Sequence, residues 1–110
     1  LSYFSSLLKS LKSNQNQTIQ QNDLNAINDL INKIENSLDK IIIPVTQKND
    51  MVANIETIKA QCTSSKPRIQ IVLDTFSAIS EILHAIPTEQ IIVTNIISEI
   101  AKVINSLGIQ

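Results

Sequence analysis

Apolar residues recur along this chain every three or four positions, in runs separated by polar links and prolines. That spacing predicts helices that each turn one greasy face inward. The most regular run puts Leu24, Ile27, Ile31, Ile34, Leu38 and Ile41 on one seam, with Leu30 and Ile42 widening it. Asn25, Asn28, Asn32, Glu35, Asn36 and Asp39 take the opposite, solvated side. Pro44 ends or kinks this helix, because it lacks an N–H and clashes with the preceding turn. Upstream, Phe4, Leu7, Leu8 and Leu11 predict a short first helix, followed by the apolar-free link 12–17. Thr18 with Gln21 has the form of a capping box, and Asn22 is an alternative N-cap.

Downstream, Met51, Val52, Ile55, Ile58 and Cys62 predict a third helix over about 45–62, with a narrower and more interrupted stripe. Residues 63–67 then break the pattern, and Pro67 suits the first turn of the next helix. The fourth helix carries Ile69, Val72, Leu73, Phe76, Ile79, Ile82, Leu83 and Ile86 before Pro87 stops it. Thr88 caps a fifth, with Ile92, Ile96, Ile100, Val103 and Leu107 on one seam and Val93, Ile97 and Ile104 beside it. Gly108 stands where a helix C-cap belongs. The expected fold is all-α: one domain over 1–110, an antiparallel bundle of four to five amphipathic helices with short loops at Pro44, Pro67 and Pro87. Its expected core includes Phe4, Leu8, Ile27, Ile31, Ile34, Leu38, Ile55, Leu73, Phe76, Ile79, Leu83, Ile96, Ile100 and Val103.

Composition supports that choice. A single Gly and three Pro in 110 residues supply few of the special backbone positions that hairpins and sandwiches need. The abundance of Ile favours strands by propensity, but the helical period overrides it. Nine Lys+Arg against ten Asp+Glu give a net charge of −1. That balance speaks against a nucleic-acid binder and against an electrostatic membrane anchor. Aromatic residues at 3% offer no stacking platform for single-stranded nucleic acid. No apolar run is long enough for a transmembrane segment.

Chemistry finds little to work with. One His, one Cys and one Gly cannot build a zinc site, a triad or a phosphate loop, so neither an enzyme nor a cofactor is expected. His84 falls at the end of the fourth helix, where a cation suits the dipole. Asp23, Asp29, Glu35 and Asp39 interleave with Asn and Lys and read as a solvated face. Cys62 has no partner in the chain; it is either a small buried hydrophobe or a site of pairing between chains. Asn16-Gln17-Thr18 is a glycosylation acceptor triplet. The start at Leu1 reads as a processed chain or a fragment, with no signal peptide left in it. The last two segments are apolar around much of their circumference, more than a small bundle readily hides. Ile79, Ile82, Ile96 and Ile100 are therefore the candidate apolar surface for a partner or ligand.

Three stretches carry a resemblance. Asp23-Leu24-Asn25-Ala26-Ile27-Asn28-Asp29-Leu30 resembles the second helix of the N-terminal domain of spider silk proteins, the spidroins. Ser65-Lys66-Pro67-Arg68-Ile69-Gln70, with Phe76 beyond it, resembles the start of that domain's third helix, and Thr94-Asn95-Ile96-Ile97-Ser98-Glu99-Ile100 its fourth. Silk C-terminal domains are similar around Cys62 and the fourth helix. The resemblance implies a secreted five-helix bundle that dimerises as pH falls, with an acidic–basic pair across the interface. Asp23 would be the acidic partner and Arg68 the basic one, with Glu81 beside a further acidic switch position.

The function expected is a non-catalytic extracellular association domain of a larger structural, silk-like protein, self-associating as a homodimer. Its candidate interface residues are Asp23, Arg68, Glu81 and Cys62. One alternative is a small carrier that encloses a fatty acid or other apolar molecule between its helices. Another is a structural or adaptor subunit of a virus or phage.

Overall fold

The structure, a computed structural model, describes residues 19–87 and 89–108. The predicted first helix with Phe4 and Leu8, the acceptor Asn16 and the caps Thr18 and Thr88 all lie outside the described residues. Four helices follow in the order that the periodicity predicts: α1 (Gln21–Ser37), α2 (Val45–Thr63), α3 (Ile69–His84) and α4 (Ile91–Gly108).

The first of them begins and ends differently from the pattern. Its N-cap is Gln20, in extended conformation and without a side-chain capping bond. Asn22 therefore sits inside the first turn and does not cap it. Gln20 supplies the first carbonyl, to Leu24 N–H at 2.9 Å, and Gln21 Nε2 donates to Asn25 Oδ1 at 3.1 Å one turn on. Asp23 stands in this first turn, where a carboxylate suits the positive end of the dipole.

The seam continues in sequence to Ile41, yet the helix stops at Ser37. Asn36, Ser37 and Asp39 are poor helix formers because their side chains compete for backbone bonds. Ser37 Oγ folds back onto the last turn, donating to Lys33 O at 2.8 Å. A bond from Ile41 N–H to Ser37 O closes the turn at 3.1 Å. Leu38 and Ile41 remain buried, so the seam was right about burial and wrong about backbone. The connection 38–44 then runs beside α2. Asp39 meets Lys48 near the start of that helix at 3.4 Å, whereas Glu35 meets Lys59 near its end at 2.6 Å. The Glu35 hydrogen bond raises the Lys59 ammonium above its ordinary 10.5, outweighing the opposing effect of burial.

Pro44 is the N-cap of α2, which buries a single narrow stripe of Met51, Ile55 and Ile58. Val52, expected on that stripe, is exposed. Thr63 Oγ1 folds back onto Lys59 O and Ala60 O at the last turn. Pro67 is buried but lies one residue outside the N-cap Arg68, not within the first turn of α3. The reason is the extended backbone of Arg68, whose N–H donates to Gln61 Oε1 at 2.8 Å and so tethers the 64–68 link to α2. α3 ends on His84, and Ile86 N–H closes onto Leu83 O before Pro87. Gly108 is the last residue of α4 and has no positive φ, so it is not a left-handed cap.

Contacts of α1 with α2, α2 with α3, α3 with α4 and α4 back to α1 close a ring of four antiparallel helices. Inside it Ile27, Ile31, Ile34, Met51, Ile55, Ile58, Val72, Phe76, Ile79, Leu83, Ile96 and Ile100 are enclosed. Leu73 and Val103, expected in the core, are only half-buried against it. Each stands at the margin of its helix's inward stripe. Leu30, Ile69, Ile86, Val93 and Leu107 join the core instead.

Candidate functional site

Antiparallel packing sorts the candidate residues between the two ends of the bundle. Asp23 in the first turn of α1, Cys62 in the last turn of α2 and Arg68 ahead of α3 fall toward one end. Asp23 and Cys62 are half-buried and Arg68 is exposed. No ion pair joins Asp23 to Arg68 among the described residues. Glu81 is exposed near the C-terminal end of α3, toward the opposite end. Partial burial lifts the Cys62 thiol above its ordinary 9.0, which keeps it a protonated, sluggish nucleophile at neutral pH.

The expected apolar surface is a correction. Ile79, Ile96 and Ile100 are 0%, 1% and 1% exposed, so they are core and present nothing to a partner. Ile82 is half-buried at the edge of a groove between α2 and α3. The ring of four helices absorbs the inward stripes of both α3 and α4. What it cannot absorb lies beyond the ends of those stripes.

There the structure exposes Val45 and Ile91, which the pattern did not single out, and Ile42, which it had placed on the inward stripe before Pro44. Ile42 is 75% exposed, Val45 73% and Ile91 81%. Ile92, expected on the α4 seam, is also exposed in the first turn of that helix. A side chain joins the two segments that carry them. Gln90 Oε1 accepts from Ile42 N–H at 2.9 Å, and Gln90 Nε2 donates to Ile42 O at 3.0 Å. The carboxamide thus stands in for a neighbouring strand and holds the 38–44 connection against the start of α4. Ile42 and Ile91 are fixed at one end of the bundle, and Val45 opens α2 three residues after Ile42. One sequence signal was available: in Ile41-Ile42-Ile43 and Ile91-Ile92-Val93, three consecutive apolar residues cannot all face one core.

Replacing Gln90 by Ala removes both bonds of this clamp. With net values of about 0.5–1.5 kcal/mol for a typical bond, and both bonds near water, the expected loss is about 1 kcal/mol. The expected result is a fall in Tm of roughly 4–8 °C and faster amide hydrogen exchange at Ile42. Unchanged exchange at Ile42 would show that the clamp does not hold in solution.

Two open grooves mark the sides. One of about 370 Å³ lies between α1 and α4, lined by Ala26, Leu30 and Val103 and by the Lys33–Glu99 ion pair at 2.7 Å. Those ions are 55% and 36% exposed, and pairs of that kind contribute little. The second, about 420 Å³, lies between α2 and α3 and is lined in part by Ala53, Ala78 and Ala85. Gln47 Oε1 and Glu99 Oε2 are buried without a hydrogen-bond partner, one at each groove. Among the described residues, no group of three His, Cys, Asp or Glu side chains could hold a metal ion. None of the described helices is long and apolar enough to cross a membrane. No family model matches this chain, nor does any curated protein or solved structure.

Proposed function

We propose that this bundle is a non-catalytic association domain that joins copies of a larger, extracellular structural protein. The observation that carries the reading is the contrast between a closed core and aliphatic side chains left outside it. Ile42, Val45 and Ile91 are mostly exposed although twenty apolar residues among those described pack inside. Leaving such residues in water costs about 25 cal/mol for each Å² of apolar surface that a partner would cover. The extracellular setting draws on the odd Cys62, the acceptor triplet at Asn16 and the resemblance to silk terminal domains.

Sedimentation equilibrium of the chain up to about 1 mM tests the reading, at pH 7.5 and 5.5 and with and without reductant. The expected result is a reversible rise in mass from monomer to dimer. A strict monomer under all four conditions would overturn it.

A further inference from the structure

We infer that the groove between α1 and α4 seats the chain's own first segment, residues 1–11, docked as a fifth helix within the same molecule. The association reading is not needed for this, because one copy alone supplies both groove and occupant.

Length and position match. Leu1, Phe4, Leu8 and Leu11 recur every three or four positions, with Leu7 beside them, and predict one apolar helical face. So short a helix is marginal in water by itself, and that face needs a surface to cover it. At 1.5 Å per residue it would be about 16 Å long. The chain joins the described bundle at Ile19, which is buried just ahead of α1. The groove opens close by, in the second turn of α1 at Ala26, and runs past Leu30 to Lys33, about 10 Å. The link 12–17 reaches about 20 Å when extended, against about 8–10 Å between the axes of packed helices. It therefore turns the chain back so that the segment lies antiparallel to α1, with Leu8 near Ala26 and Phe4 near Leu30. The groove between α2 and α3 is a poorer seat, since its residues come from the start of α2 and the end of α3, at the far end of the bundle.

Packing and chemistry point the same way. Val103, expected in the core, is left half-buried on this groove by four helices, and a fifth completes its cover. Ala26 is exposed on the same groove and leaves room for the larger Leu8. Glu99 Oε2 is buried there without a hydrogen-bond partner, and an acceptor in that state is costly. Residues 1–12 bring donors and no carboxylate: Lys9, Lys12, the Tyr3 hydroxyl and four serines. Around the groove Asp29 and Glu99 balance Lys33 and Lys102, so the two incoming lysines meet no excess of positive charge.

Disulfide trapping in the full chain tests the seat. In a Cys62→Ser background, Leu8→Cys is combined with Ala26→Cys, on the groove, or with Asn28→Cys, about 200° away around α1. Both α1 positions are exposed and nearly equidistant from residue 8 in sequence, so an undocked segment closes the two pairs at similar rates. Matching helical circular dichroism of the reduced proteins confirms that each variant folds. The expected result is an intrachain disulfide that forms at least ~10-fold faster with position 26 than with position 28. Hydrogen exchange gives a readout that needs no cysteine. Amides of residues 4–11 are expected to be protected in the unaltered chain and released by Ala26→Glu, a substitution at an exposed position of the four-helix ring. Equal closing rates, or unprotected amides in the unaltered chain, overturn the inference. Disulfides that form between copies overturn it as well, because the occupant is then a neighbour's segment.

Discussion

Phe76→Ala is expected to cost about 3–5 kcal/mol, the usual range for truncating a buried aromatic ring. Phe76 is the largest of the fully enclosed side chains and lies mid-helix in α3, which packs against both α2 and α4. Removing it withdraws contacts from both neighbours, and a ring of four helices has no loop nearby to collapse into the space. A natural domain of this length has a total stability of roughly 5–15 kcal/mol, so the variant loses about a fifth of it or more. At roughly 4–8 °C for each kcal/mol, Tm falls by more than ~12 °C. Phe76→Leu, which keeps most of the volume, is expected to cost under about 2 kcal/mol. Urea and thermal unfolding of the two variants check both figures, and a loss below about 1 kcal/mol for the alanine variant would contradict the packing.

The second large effect is a contrast between two isoleucines of one helix. Ile100→Asp is expected to leave the chain largely unfolded at 25 °C, whereas Ile91→Asp leaves the monomer's stability within about 0.5 kcal/mol. Ile100 is enclosed, and an aspartate there must either ionise without a partner or carry an unsatisfied carboxyl, at a cost of several kcal/mol. Ile91 is exposed at the first residue of α4, and an acid in the first turn is mildly favourable to the dipole. Circular dichroism at 222 nm with urea titration distinguishes the two directly. Equal effects would mean that α4 is rotated about its axis from the orientation described.

The same pair shows how far the linear pattern reached. At about 100° per residue, positions 91 and 100 fall on opposite faces of one helix, so their difference was in principle readable. Ile92 was not. It shares the seam of Ile96 and Ile100, yet it is exposed because that seam begins before the neighbouring helices cover it. Leu38 and Ile41 show the converse. Their spacing predicted burial correctly, but the backbone had already left the helix after Ser37. Periodicity reports which side of the chain is apolar; it does not report where a helix ends or how far its partner extends.

The apolar end of the bundle failed to show in the pattern for a related reason. Ile42 belonged to a predicted helical stripe and Ile91 to the apolar run 91–93 after the expected cap Thr88, more than forty positions away in sequence. Nothing local relates them. The Gln90 carboxamide that brings them together is a long-range contact between a loop and a helix start. Conversely, Ile79, Ile96 and Ile100 looked like surplus because an apolar circumference counts residues without knowing how many neighbours will surround them.

Helix identity, helix order and most of the inward-facing isoleucines followed from residue spacing alone, since a 3.6-residue period and two breaking prolines are local properties of the chain. Which apolar residues were left over did not, because burial depends on what packs alongside, and that is settled only when the four helices meet and their unequal ends leave Ile42, Val45 and Ile91 uncovered.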